Sequence, residues 1–302
     1  MERIFTYSIP TSAEGSSILT FLKANGYSNN IIKNLKKTPD CILLNGIFRY
    51  VTAILHENDT LTVTLIENDI DTSIVPVAAP LDILYEDEDI YVINKTAGMA
   101  VHPSINHYEN TLANALAAYN EARHTPMTFR CINRLDRDTS GLTVIAKHQL
   151  ASARLGSAMK NREIHREYLG IADGYVDDCG TICAPIARTA DSLMERQVDF
   201  EHGESAVTHF KRLKYENGLS LVSFLLETGR THQIRVHMKY INHPLIGDFL
   251  YNPDDHRMMR QALHAYRLSF VHPVTEKQMS FTAPVPDDFI LSYDETIASQ
   301  LP

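Results

Sequence analysis

Short segments of alternating apolar and polar residues are the feature that most constrains the fold of this chain. Six of them follow one another beyond residue 80, with the two-residue period of β-strands: Ile83–Tyr85, Ile90–Ile93, Leu142–Ala146, Tyr168–Ala172, Val207–Phe210 and Leu219–Leu225. Helical periodicity interrupts them at Thr111–Ala122, Gln149–Asn161 and Thr231–Tyr240. This mixture predicts an α+β domain with a mixed, largely antiparallel central sheet and flanking helices.

The first 70 residues predict a separate small unit. Two segments with helical spacing, Ser17–Ala24 and Ser28–Lys37, precede a strand that runs into an Asn45-Gly46 turn and a closing strand at Asp59–Leu65. Ser28 is a suitable N-cap, and Asn-Gly favours a hairpin. Residues 71–79 are rich in Pro, Ser, Thr and small residues, which predicts a linker. At 302 residues the chain has the length of about two domains, so we predict units at 1–70 and 80–302.

Bulk properties predict a cytoplasmic protein without a metal site. No stretch approaches the roughly 20 apolar residues of a membrane helix, and Met1–Thr6 does not read as a signal peptide. The four cysteines, scattered along the chain, are too few for a disulfide scaffold. Cys179 and Cys183 are close in sequence, but no second close pair completes a four-ligand set.

A charged turn at Asn133–Leu142 carries the strongest functional signal. It sets a carboxylate among arginines in a Ser/Thr/Gly turn just before an apolar strand, and alone it would be typical of a solvated loop. Three further motifs accompany it, at Asp89–Gly98, Arg166–Gly170 and Thr228–His237. In this order the four motifs resemble the RluA-like family of RNA pseudouridine synthases, over roughly residues 80–285.

The resemblance implies the pseudouridine synthase fold and the isomerisation of uridine to pseudouridine in RNA, with neither cofactor nor metal. The first 70 residues resemble the S-four-type RNA-binding module, a small α/β unit found ahead of many such catalytic domains. In that module the second helix and the hairpin meet RNA, which here points to Lys33, Lys36, Lys37 and Arg49. A packing unit without an RNA role is the alternative.

Asp136 is the expected catalytic residue, because the resemblance places it at the family's single catalytic aspartate. Arg134 and Arg137 are sequence neighbours, and a nearby positive charge lowers the pKa of a carboxyl group. An ionised, partly desolvated carboxylate can act as a nucleophile or a base toward a nucleoside. Asp138 matches a variable position of the family, so we expect it to face solvent or to cap the turn.

Two further catalytic residues follow from the resemblance. Arg235 matches the arginine that reaches the catalytic aspartate, and a bidentate guanidinium would orient Asp136 and keep it charged. Tyr168 matches the active-site tyrosine, whose ring is suited to stack on an extruded base. Its hydroxyl is also a candidate for proton removal at ring carbon five.

Four residues are predicted to bind the substrate: Arg134, Arg230, His232 and Lys95. We expect Arg134 to fill the gap left by the base or to hold phosphate. Two departures from the family pattern occur, because Thr96 replaces the usual proline and Asn133 the usual histidine. Neither removes a catalytic group.

The net charge of −9 argues against a protein that coats nucleic acid non-specifically. A local basic groove on an acidic body remains compatible with it. The candidates for such a groove flank the two central motifs: Lys147, Arg154, Lys160, Arg162, Arg166, Lys211, Arg212 and Lys214.

The expected substrate is large-subunit ribosomal RNA, as in family members with this arrangement of units, and transfer RNA is the alternative. We expect a monomer that does not associate with membranes. A non-catalytic RNA-binding or ribosome-assembly protein on the same scaffold is a rival hypothesis. A nucleoside glycosidase is another, but such enzymes usually need a second carboxylate at a fixed distance, and nothing near the motifs clearly supplies one.

Overall fold

Residues 1–67 form a four-stranded antiparallel sheet with two short helices on one face. A computed structural model of the chain describes residues 1–67, 73–104, 108–190, 192 and 194–289. The first elements are β1 (Glu2–Ser8), α1 (Ile18–Ala24), α2 (Asn29–Leu35), β2 (Ile42–Leu44), β3 (Ile47–Phe48) and β4 (Thr60–Ile66). The strand order is β1-β4-β2-β3, and β1 was not predicted. The Asn-Gly turn is confirmed, because Asn45 (φ 52°) and Gly46 (φ 77°) join β2 to β3.

Serine caps begin both helices of this unit. The hydroxyl of Ser17 accepts a hydrogen bond from the backbone of Thr20, and that of Ser28 from the backbone of Ile31, as predicted for Ser28. The apolar face of α1 and α2, with Leu22 as one buried member, packs on the sheet. The two helices and the sheet therefore share one core.

A nine-stranded sheet forms the centre of the remaining chain. Its strands are β5 (Asp82–Glu86), β6 (Ile90–Lys95), β7 (Ser140–Ala146), β8 (His165–Asp173), β9 (Cys179–Cys183), β12 (Val207–Glu216), β13 (Leu219–Leu226), β14 (Leu263–Val271) and β15 (Gln278–Thr282). They follow the order β5-β6-β7-β14-β8-β13-β12-β9, and β15 pairs with β14. Only β7 and β14 run parallel among the described strands of this sheet. The predicted α+β class with a mixed, largely antiparallel sheet is confirmed.

Three helices and a separate hairpin complete the described fold. The helices are α3 (Leu112–Glu121), α4 (Gln149–Lys160) and α5 (Gln233–Tyr240), and the hairpin consists of β10 (Ile186–Arg188) and β11 (Arg196–Val198). All three helices and all six strands predicted beyond residue 80 are present, whereas β9, β10, β11, β14 and β15 were missed. In the part that the structure describes, no helix has the length and apolar character needed to cross a membrane.

The described part of the predicted linker packs against α3. Residues 71 and 72 lie outside the described residues. Beyond them, the amide of Asn114 donates to the carbonyl of Val75 (2.8 Å), and the backbone N–H of Val77 donates to the carbonyl of Asn114 (3.2 Å). Ile74 is buried. Residues 73–79 are therefore attached to the unit that contains the nine-stranded sheet, and the predicted unit boundaries stay a prediction.

Gly141 allows the close approach of β7 to β14. Its φ is +108°, and a Cβ atom there would lie 2.2 Å from the carbonyl oxygen of Ala265. Such a distance leaves no room for a side chain, and the backbone angle itself favours glycine. The turn that precedes β7 is thereby set level with Tyr168 and Leu169 of β8, on the other side of β14.

Candidate active site

The turn that carries Asp136 is held by buried hydrogen bonds. The side chain of Asn133 accepts from the backbone of Val144 (2.9 Å) and donates to the carbonyl of Leu142 (3.0 Å). The backbone N–H of Thr139 donates to the carbonyl of Asp136 (3.2 Å), which closes the turn. Asn133 therefore fixes the turn to β7.

Two buried basic side chains, Lys95 and Arg260, donate hydrogen bonds to the backbone of the same turn. The ammonium of Lys95 donates to the carbonyls of Thr96, Met99 and Arg137, the last at 2.9 Å. The guanidinium of Arg260 donates to the carbonyl of Asp138 (3.1 Å). Lys95 is buried outside the cleft lining, and burial lowers its pKa to about 7. We therefore correct its predicted role from substrate contact to support of the turn.

Arg235, on α5, joins Asp136 to a third residue. One Nη of its guanidinium donates to Asp136 (3.1 Å), while Nε and the other Nη donate to the two oxygens of Asp248 (2.7 and 2.8 Å). Arg235 and Asp248 are almost completely buried, and the Asp136 side chain is 25% exposed. Burial alone would lower the pKa of Arg235, but the two carboxylates raise it above its usual value. The guanidinium therefore stays charged beside Asp136.

This geometry differs from the expected one in two respects. The bidentate pair of Arg235 is with Asp248, and Asp136 receives a single hydrogen bond. Arg137, expected to stabilise Asp136, instead pairs with Asp138 (2.8 Å). Asp248 was missed because it lies outside the four motifs, and no local pattern marks it: its role follows only from the fold.

Tyr168 lies on β8 in the wall of the same cleft. Tyr168 is 5% exposed and packs in a cluster that includes Leu135, Ile234 and Leu263. Burial raises the pKa of its hydroxyl, and the nearby charge of Asp136 acts in the same direction. The hydroxyl is therefore protonated at neutral pH, and Tyr168 lines the same cleft as Asp136.

His232 begins α5 beside Asp136. It adopts a left-handed conformation (φ 57°), its Nδ1 is 2.9 Å from the hydroxyl of Tyr251, and its Nε2 is 3.9 Å from Asp136. Burial lowers the pKa of His232, so the ring is neutral near pH 7. The structure thus places it against the carboxylate and Tyr251 within the pocket.

The two predicted arginines at the rim are arranged differently. Arg134 is exposed along the cleft, in the position expected for a group that contacts RNA. Arg230 also lines the cleft, but its guanidinium donates to the carbonyl of Ser205 (3.0 Å) and pairs with Glu204. Arg230 is therefore partly engaged within the protein.

The site opens into a strongly basic cleft of about 1180 Å³. Its lining has two acidic side chains, Asp136 and Glu227, against eight basic ones: Arg134, Lys160, Arg162, Arg166, Arg188, Arg196, Arg230 and Arg235. The whole chain has a net charge of −9. The positive charge is therefore concentrated where a polyanion would approach the carboxylate.

The predicted basic groove is only partly correct. Lys160, Arg162 and Arg166 line the cleft, whereas the other five candidates do not. Arg154 donates to the carbonyls of Asn25 and Pro273, and Lys147 pairs with Glu86. Arg188 and Arg196 were missed because they reach the cleft from the β10–β11 hairpin.

The residues predicted to bind RNA in the N-terminal unit are all exposed. They are Lys33, Lys36, Lys37 and Arg49, and none of them lines the cleft. The backbone of Arg49 pairs with Ile42 at the start of β2, shortly after the C-terminal end of α2.

One group of acidic and histidine side chains has the composition of a metal site. Asp87, Asp89 and His272 bring ligand atoms within 4.8 Å of one another. Each is engaged within the protein: His272 pairs with Asp87 (2.8 Å), and Asp89 binds Arg3 and His148 (both 2.9 Å). Their contacts are explained as an ion-pair network, with no metal required.

Known proteins with this combination of motifs are similar along most of the chain. A sequence profile described as RNA pseudouridylate synthase matches residues 89–240, which include Asp136, Tyr168 and Arg235. The chain is 40% identical over 264 residues to "Uncharacterized RNA pseudouridine synthase YjbO" of Bacillus subtilis (strain 168), covering 87% of this chain and 93% of that protein. It is 43% identical over 226 residues to ribosomal large subunit pseudouridine synthase D of Vibrio vulnificus (strain CMCP6), covering 70% and 69%. Among solved structures, human RNA pseudouridylate synthase domain containing 1 has a TM-score of 0.57 at 26% identity, covering 68% of this chain and 83% of that one.

Proposed function

Because the chain belongs to the RNA pseudouridine synthase family, we propose that it isomerises specific uridines of large-subunit ribosomal RNA, with the carboxylate of Asp136 acting on a flipped-out uridine. The ribosomal target is supported by relatives such as the Vibrio vulnificus protein, whose name assigns it to the large ribosomal subunit. The observation that carries the proposal is the contact between Asp136 and Arg235 in front of Tyr168, inside a basic cleft.

The pocket explains how a single carboxylate can serve this reaction. Arg235 donates a hydrogen bond to one oxygen of Asp136 (3.1 Å), which orients the carboxylate. The carboxylate remains partly exposed toward the cleft, so a substrate can reach it. A buried carboxylate would be inaccessible, and one free in solvent would be neither oriented nor desolvated.

The uridine must leave its stack, because its reacting atoms are hidden inside a helix. Flipping costs a few kcal/mol and favours loops or weakly paired regions. The ring of Tyr168 provides a surface for the extruded uracil. Arg134, exposed at the rim, is placed to hold a phosphate or to fill the vacated position.

The isomerisation exchanges one bond of the sugar carbon for another. The bond from C1′ to ring nitrogen one breaks, the uracil turns, C1′ joins ring carbon five, and the proton of that carbon is lost while nitrogen one gains one. Asp136 has three possible roles: attack on C1′, attack on the ring, or removal of a sugar proton. All three use the carboxylate that Arg235 orients.

The N-terminal unit is proposed to bind the same RNA outside the cleft. Its second helix and hairpin expose Lys33, Lys36, Lys37 and Arg49, which are suited to contacts with phosphate. Each such contact contributes affinity without sequence information. This unit would increase residence on structured RNA, while the cleft selects the uridine.

Tritium release from RNA labelled at ring carbon five of uridine tests the proposal. We expect release from unmodified large-subunit ribosomal RNA by the wild type and none by Asp136→Asn, which removes the charge with little change of shape. The matched control is Asp138→Asn: this aspartate pairs with the exposed Arg137 and does not line the cleft, so we expect a rate within a few-fold of the wild type.

The alternatives predict other outcomes of the same assay. Release from transfer RNA alone would assign transfer RNA as the substrate and leave the proposed reaction unchanged. Equal release by wild type and Asp136→Asn would exclude Asp136 as the essential carboxylate. Binding of ribosomal RNA without release, also after supply of ribosomal particles, would support the non-catalytic rival.

A further inference from the structure

Arg166 is a buried cation in the wall of the cleft. It is 9% exposed and lies on β8, two residues before Tyr168. Side chains two residues apart on a strand point to the same face, so Arg166 and Tyr168 share one wall. Both line the cleft in front of Asp136.

The guanidinium of Arg166 has few partners inside the protein. One Nη donates to the carbonyl of Thr228 at 3.4 Å, a long hydrogen bond, and its buried Nε has no hydrogen-bond partner in the described residues. No carboxylate of those residues forms an ion pair with it. A buried charge in this state is costly, since buried cations are normally paired and hydrogen-bonded.

The other buried arginines of the same region are paired. Arg235 has Asp248, and Arg260 has Asp288 at 2.6 Å. Arg166 alone among these three faces the cleft without a counter-ion in the described chain. An anion that binds in the cleft would supply the missing partner.

Gly229 leaves room for this guanidinium. A Cβ atom at position 229 would lie 2.7 Å from one Nη of Arg166. Gly229 has no left-handed φ that would itself require glycine. The lack of a side chain is thus explained by the space that Arg166 occupies.

We propose that Arg166 binds a backbone phosphate of the RNA substrate next to the uridine that stacks on Tyr168. The inference rests on the proposed function, because it takes the occupant of the cleft to be RNA. A guanidinium presents its N–H groups as a planar fork that matches the oxygens of a phosphate. Its position beside Tyr168 gives the phosphate of the target nucleotide or of its neighbour as the partner. Arg166 is thus a substrate-binding residue that sets the register of the uridine.

Salt dependence of RNA binding tests this role. In the Asp136→Asn background, which cannot turn over, the affinity for ribosomal RNA is measured across a salt series with and without Arg166→Gln. Loss of one phosphate contact should reduce the slope of log K against log salt by about 0.7 to 0.9. Affinity at low salt should fall roughly tenfold or more. Arg166→Lys keeps the charge and should recover most of the slope but only part of the affinity.

Two further variants separate binding from folding. Gly229→Ala keeps the charge but displaces the guanidinium, and should lower affinity while the melting temperature changes little. Arg267→Gln is the matched control: Arg267 is on the neighbouring strand β14, faces Glu167 (3.7 Å) and lies outside the cleft lining. It should leave the slope unchanged.

The result that overturns the inference is an unchanged slope and affinity for Arg166→Gln. A slope unchanged together with a large fall in melting temperature for both Arg166→Gln and Arg166→Lys would assign a structural role instead. Tritium release by otherwise wild-type protein reports separately on the proposed function. If the wild type is active and Arg166→Gln binds RNA normally, only the phosphate contact is wrong.

Discussion

Asp248 determines how Arg235 can serve Asp136. It accepts two hydrogen bonds from the guanidinium and further ones from the backbones of Leu250 and Tyr251 (3.1 and 3.2 Å). These contacts fix the guanidinium plane, so that the remaining Nη points at Asp136. The buried carboxylate of Asp248 also neutralises the charge of Arg235. Asp136 is therefore not needed as the counter-ion of Arg235.

Asp248→Asn should therefore impair both folding and activity. Arg235 would keep its buried charge without a full counter-ion, and breaking such a pair costs about 3–5 kcal/mol. In the tritium-release assay kcat should fall while KM changes little, because Asp136 would lose its orientation and RNA binding would be unaffected. Urea unfolding and steady-state kinetics measure the two effects. Asp254→Asn, an exposed residue of the same loop, is the control, and equal behaviour of both variants would contradict this role.

At the scale of single residues, the sequence indicated the carboxylate and its partner but not their support. Asp136, Tyr168 and Arg235 lie inside recognisable motifs, and the structure brings them to one cleft. Asp248 and Arg260 are isolated polar residues whose contacts are made across the fold. Lys95 lies in a motif, yet its burial depends on how β6 packs below the turn, which the sequence does not encode locally.

The parallel pairing of β7 with β14 is the element-level feature that positions the site. It sets the turn before β7 level with Tyr168 of β8, on the other side of β14. The approach depends on Gly141, where a Cβ atom would lie 2.2 Å from the carbonyl oxygen of Ala265. A small change here should separate the turn that carries Asp136 from the wall that carries Tyr168.

Gly141→Ala should destabilise the protein by about 3 kcal/mol or more, from the left-handed strain and the backbone clash together. Chemical unfolding measures this loss, and tritium release should fall in parallel. Gly156→Ala is the matched control, since Gly156 lies in α4 with no neighbour within 4 Å of a Cβ atom. It should stabilise the protein by about 0.5–1 kcal/mol. A stability loss of the same size in both variants would contradict the close-approach argument.

Alternation of apolar and polar residues revealed six strands beyond residue 80 and missed others for identifiable reasons. β14 is buried on both faces over its first four residues and contains His264 and Arg267, so its sequence does not alternate clearly. β10 and β11 have three residues each, too few for any period. In β1 the adjacent Ile4 and Phe5 interrupt the alternation. Sheet order and the parallel pair depend on long-range contacts, so they required the structure.

At the scale of the whole molecule, α4 ties the N-terminal unit to the catalytic unit. Leu150 of α4 belongs to the core of the N-terminal unit, and Arg154 donates twice to the carbonyl of Asn25 (2.9 and 2.7 Å). Glu67 binds Arg130 (2.6 Å) and the backbone N–H of Gln149 (2.6 Å). The two units are therefore in direct contact, which would present one continuous surface to a folded RNA.

Asp89 is the central ionisable group of this contact. Its carboxylate receives Arg3 from β1 and His148 from the start of α4, both at 2.9 Å. Burial would raise the pKa of Asp89, but the hydrogen bonds from His148 and Arg3 outweigh it and lower the pKa to about 2, against a usual value of 3.8. The folded protein therefore prefers the ionised form more strongly than the unfolded chain does.

This preference predicts a pH-dependent contribution to stability. Between pH 3.8 and 2 the unfolded chain binds the proton of Asp89 more readily, so stability rises with pH in that window. The contribution, about 2 kcal/mol, should be complete above pH 3.8 and disappear as pH falls through 2. Urea unfolding of the wild type and Asp89→Asn across this range should give a difference in unfolding free energy that shrinks toward low pH.

Asp178→Asn is the control for this prediction. Because Asp178 is paired with Arg212 at the surface, this variant should differ from the wild type by less than about 1 kcal/mol. If the difference in unfolding free energy between the wild type and Asp89→Asn stays constant down to pH 2, protonation of Asp89 does not contribute to the contact between the two units.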